Sequence, residues 1–86
     1  MTEDEYNFIR QLESNSYNVL LRMSDIENIK DPSEIYKLHN DLEKITDKIH
    51  SAIEKREVKS PEALQVLQKL KMGYIEMLAT TDELMS

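Results

Sequence analysis

Proline stands at positions 32 and 61 of this 86-residue chain, each directly after a helix-capping residue. Proline fixes φ and lacks the N–H that an interior helical position must donate. It is therefore tolerated at the first position of a helix and breaks one further in. In Asp31-Pro32-Ser33-Glu34 the aspartate is an N-cap, the proline opens the helix, and Glu34 is placed to reach back to the cap. Ser60-Pro61-Glu62 repeats the arrangement. Thr2 with Glu5 forms a capping box at a third helix start, and the acids at 3–5 complement the positive end of a helix dipole. Three helix starts divide the chain into near-thirds.

Between these starts the apolar residues recur at spacings of three and four. They run Ile9, Leu12, Ser16, Val19, Met23, Ile26 in the first third. They continue as Ile35, Leu38, Leu42, Ile45, Ile49, Ala52, and then as Ala63, Leu67, Leu70, Tyr74, Met77, Thr81, Leu84. That period places one apolar seam on each helix. No stretch alternates with period two, and one glycine with two prolines is too few turn residues for an all-β fold. The expected fold is an all-α, antiparallel, up-down-up three-helix bundle in a single domain, residues 1–86. Its helices are expected at about 3–29, 32–57 and 61–84. Six layers follow, from Ile9 with Ala52 and Ala63 at one end to Ile26 with Ile35 and Thr81 at the other. The same heptads also fit self-association, including an open hairpin that donates its third helix to another copy.

Composition narrows the chemistry. There is no cysteine, hence no disulfide, thiolate metal site or cysteine nucleophile, which agrees with a cytoplasmic setting. The acidic start, Met1-Thr2-Glu3-Asp4-Glu5, has no apolar run of the kind a signal peptide carries, and no stretch approaches a membrane span. The net charge is −6, and the thirds cut at the prolines carry −4, 0 and −2. Phosphate neutralisation dominates nucleic-acid affinity, so no direct nucleic-acid partner is expected. Four tyrosines without tryptophan make no stacking platform for bases.

One polar constellation could carry chemistry: His39, Glu43, Asp47, His50 and Glu54, spaced four, four, three and four along one helical face. Asp47 and His50 resemble the carboxylate–histidine pairs of di-iron bundles, but those point into a core. His39 and His50 lie about 16 Å apart at ~1.5 Å per residue, so one ion cannot take both. The stripe is expected to face solvent, with no metal, cofactor or small-molecule substrate. A single glycine excludes a Gly-rich phosphate loop, and nothing suggests a pocket for a catalytic triad, so an enzyme is not expected.

What remains is surface. On the third helix Gln68, Met72, Ile75 and Ala79 share a face turned away from the seam. Gly73 lies beside them inside the helix, where glycine costs about 1 kcal/mol against alanine. It permits close approach of another backbone or a bulky side chain. On the first helix Tyr6 and Leu20 are expected to flank the core and leave Tyr17 and Leu21 exposed. Asp82 and Glu83 oppose the dipole of the last turn, so fraying is expected from about residue 80.

Ser60-Pro61-Glu62-Ala63-Leu64, with Leu67-Gln68 and Tyr74, resembles the turn and second helix of type III secretion needle and inner-rod subunits. The likeness is confined to residues 60–74 and carries no function over. Three functional readings suit such a chain. It binds another protein as an adaptor, small chaperone or regulator. It self-assembles into a larger oligomer, as in a secretion or phage assembly. Or it acts as an acidic inhibitor of a nucleic-acid-binding protein. The partner-binding residues expected are Met72, Ile75, Ala79 and Gln68, then Tyr17 and Leu21.

Overall fold

A computed structural model describes residues 1–86 and contains helices alone: α1 (Glu3–Ser24), a single 3₁₀ turn (Ile26–Asn28), α2 (Pro32–Glu54) and α3 (Pro61–Met85). The three starts are those the caps dictate. Thr2 and Glu5 form a reciprocal capping box. The Asp31 carboxylate accepts from Ser33 N–H at 3.0 Å, and Ser60 Oγ accepts from Ala63 N–H at 3.3 Å.

The ends differ from the sequence expectation. α1 stops at Ser24 rather than near 29, because the chain must turn back onto α2. Asn28 N–H bonds the Asp25 carbonyl at 3.0 Å, and Ile29 N–H bonds the Ile26 carbonyl at 3.2 Å. The Asn28 amide fastens the same turn by donating to the Asp25 carboxylate. α2 stops at Glu54 rather than 57. Arg56 enters the left-handed region (φ 56°). Its N–H then reaches the Ile53 carbonyl, while Glu57 N–H reaches Ala52. That pair of bonds is a Schellman stop, built here on an arginine where glycine is usual. α3 is helical through Met85, and Thr81 in its last turns is fully buried.

The seams meet in one core. Ile9, Leu12, Val19, Leu38, Leu42, Ile49, Ala52, Ala63, Leu67 and Tyr74 are buried together, with Val58 joining from the α2–α3 turn. Ser16 is buried among them without an orphan hydroxyl, since its Oγ donates to the Leu12 carbonyl at 2.6 Å. Met23, Ile26, Ile45, Leu70 and Met77 pack against this centre but are only partly buried. Leu84 departs from the expected seam: it is 55% exposed.

Arg22 of α1 pairs with Asp41 of α2. His39 of α2 meets Thr81 of α3, and His50 meets Lys71, so residues rising along α2 meet residues falling along α3. That order is the one an up-down-up bundle requires. α2 and α3 approach each other closely along their length, and α1 lies against the pair at greater backbone distance. The whole measures 42 × 20 × 15 Å.

Candidate functional site

The face of α3 opposite the seam carries Gln68, Met72, Ile75 and Ala79, all exposed. Met72 is 65% and Ile75 47% exposed, large values for apolar side chains. Spacings of four, three and four keep them on one side of the helix. Gly73 sits beside them. A Cβ built on it would meet no heavy atom within 4 Å, so no other part of the chain uses the close approach that the sequence suggested. Gly73 also has no positive φ to justify it. Within this chain its helix cost is uncompensated.

Tyr17 and Leu21 are exposed on α1, and Tyr6 and Leu20 join them: at 53% and 39% exposure they do not flank the core as expected. Arg10 lies over the Tyr6 ring, 5.8 Å from its centroid, a surface cation–π contact. The structure does not gather the six predicted residues into one pocket. Gln68 lines a cleft of about 590 Å³ with Ile53, Val58 and Leu64 at the α2–α3 turn. Leu21 lines a separate cleft of about 360 Å³ with Arg22, Asp25, Ile29, Glu34 and Lys37 at the α1–α2 connection.

Glu43, Asp47, His50 and Glu54 of the polar stripe are exposed as expected, and His39 is the exception. His39 does not face solvent: it is wedged between α2 and α3 with its side chain 13% exposed. Its Nδ1 lies 2.7 Å from Thr81 Oγ1, whose hydroxyl also lies 3.0 Å from the Leu78 carbonyl. Its Nε2 lies 2.7 Å from Glu43 and 3.6 Å from Asp82. Asp82, an acid at the unfavourable end of a helix dipole, therefore has a ring nitrogen for company. His50 accepts from Lys71 Nζ at 2.8 Å. Both histidines tie α2 to α3, and no group of three His, Asp or Glu side chains is arranged to hold a metal ion.

The most perturbed group is Glu5, which sequence reasoning read only as a cap. It lies one turn before Ile9, on the seam itself, and is 6% exposed. One carboxylate oxygen accepts from Thr2 N–H at 2.9 Å. The other accepts from Lys59 N–H at 2.6 Å and Ser60 N–H at 2.9 Å. The backbone amides of Thr2, Ser60 and Lys59 all favour the ionised form, and they hold the carboxyl at about 2. Glu5 thus caps its own helix and pins the turn before α3. The sequence signal was an acid at a seam position. Arg22 is a second case: its Nη2 donates to Asp41, but its buried Nε has no partner.

No helix is long and apolar enough to cross a membrane. Comparison with protein-family models, with curated proteins and with solved structures gave no match to this chain, so its functional reading rests on its own residues.

Proposed function

We propose that this chain is a non-enzymatic protein-binding module whose contact face is the outer strip of α3: Gln68, Met72, Ile75 and Ala79. The observation that supports this is the pairing of exposed Met72 and Ile75 with a mid-helix glycine that has open space in place of a side chain. Exposed single apolar residues are ordinary. A run of them beside a glycine that no intrachain contact requires fits a surface kept for another backbone. The strip is continuous with the Gln68 cleft, which would receive a flanking side chain of the partner. Tyr17 and Leu21 form a second, smaller face, and a cytoplasmic setting accords with the absence of cysteine.

The test compares captured partners for wild type, Ile75→Glu and a control substitution at exposed Tyr36. A protein bound by wild type and the control but lost with Ile75→Glu supports the reading. Equal capture by all three removes the strip from consideration. Self-assembly through the same strip is separated by light scattering across concentration, where a dimer lost on Ile75→Glu with helicity retained would favour it.

A further inference from the structure

The two connections in the bundle differ in kind. The α2–α3 turn is fixed by the Schellman bonds at Arg56 and Glu57, by buried Val58, and by the Glu5 carboxylate on Lys59 and Ser60. The α1–α2 connection, residues 25–31, has one 3₁₀ turn and no buried residue. The apolar rhythm of α1 runs straight into that turn through Met23 and Ile26. A continuing helix and a tight turn thus compete for the same residues.

α1 is also the helix least closely packed on its neighbours. Its directional ties are polar and lie near its two ends. Glu5 holds Lys59 and Ser60, and Arg22 holds Asp41. Between them Ile9, Leu12 and Val19 are buried. A detached α1 would expose those side chains to water, so it must dock again. The surface it vacates is shaped for α1.

We propose that α1 exchanges between two copies of this chain, giving a dimer in which each α1 seats on the α2–α3 pair of the other. The seven residues 25–31 span up to about 25 Å when extended. That exceeds the 20 × 15 Å cross-section of the bundle, so α1 can cross to a second bundle placed end to end without disturbing α2 or α3. Every intrachain contact of α1 re-forms between chains, which is what makes such exchange inexpensive. The exchanging helix is α1 and not α3, contrary to the sequence expectation, because α3 is held against α2 far more closely than α1 is held against either. With α1 detached, Glu5 loses the Lys59 and Ser60 amides and takes up a proton more readily than when docked, so acid favours detachment and speeds exchange.

The test is complementation between full-length chains. Leu12→Asp damages α1, Leu38→Asp damages α2 and Leu67→Asp damages α3, each at a position that is buried in the core. Each variant alone is expected to lose its helical signal. Mixing Leu12→Asp with Leu38→Asp lets the sound α1 of one chain join the sound α2–α3 pair of the other. About half of the wild-type ellipticity should return, in a particle of dimer mass. Mixing Leu38→Asp with Leu67→Asp should restore nothing. No recovery in the first mixture overturns the proposal. Recovery in the second assigns the exchange to α3 and overturns it equally. If a single variant keeps its fold, unmodified protein decides. It is concentrated, held between pH 2 and 4.5, and returned to neutrality. A persistent dimer with the helicity of the monomer supports exchange, and a monomer at every concentration refutes it.

Discussion

Replacing Gly73 by alanine separates what the bundle needs from what its surface is kept for. Glycine inside a helix is about 0.8–1.0 kcal/mol less favourable than alanine, because its unfolded backbone has more freedom to lose. Two things could cancel that gain: a backbone conformation only glycine adopts, or an atom already occupying the space of the methyl group. Neither is present, since Gly73 has no positive φ and an added Cβ meets nothing within 4 Å. The full gain of about 1 kcal/mol should therefore appear. In a small domain that raises Tm by roughly 4–8 °C. In urea it moves the midpoint up by about 0.3–1 M at unchanged slope. Circular dichroism during urea titration reads both. A midpoint that is unchanged or lower would refute the reasoning, for it would mean that the isolated chain itself requires glycine. The same variant should bind its partner less well than wild type if the open space is a docking position. Raised stability with undiminished capture would leave Gly73 without a binding role.

Leu42 is fully buried at the middle of α2, and Leu42→Ala removes about three carbons at ~0.8 kcal/mol each, plus a cavity term, for a total near 2–5 kcal/mol. Leu84→Ala, on the same sequence pattern but exposed, should cost less than about 0.5 kcal/mol. Thermal melts of the two variants should differ widely, and equal melts would sink the assigned core. Arg56→Gly relieves the left-handed arginine at the Schellman stop and should stabilise by about 1 kcal/mol, read as a higher urea midpoint. Glu5 has a folded pKa of about 2 against 4.5 unfolded, so its contribution is complete above 4.5 and is lost as pH falls toward 2. Glu5→Gln should lower stability at neutral pH and flatten that acid limb. An acid limb identical to wild type would contradict the assignment.

Much of the fold was legible because it is written over short range. A cap and its partner lie three residues apart, proline acts on its own turn, and a seam repeats every three or four residues. Thr2–Glu5, Asp31-Pro32 and Ser60-Pro61 therefore marked all three helix starts, and nearly every buried side chain fell on the predicted seams. The exposed candidates Gln68, Met72, Ile75, Ala79, Tyr17 and Leu21 were legible for the same reason: a residue off the seam faces water unless something covers it.

The tertiary structure decided whatever depends on how distant segments close on one another. Glu5 reads as an ordinary cap until the turn at Lys59 and Ser60 arrives 54 and 55 residues later to share its carboxylate. His39 reads as a surface residue until Thr81 comes within 2.7 Å across 42 residues. Only the folded chain shows that no segment of its own fills the space beside Gly73. The three seams look equivalent in sequence, yet one hairpin packs closely and α1 does not. Periodicity specifies which side of a helix is apolar. It does not specify how near the neighbouring backbone comes, because that distance is set jointly by side chains and turns on all three helices.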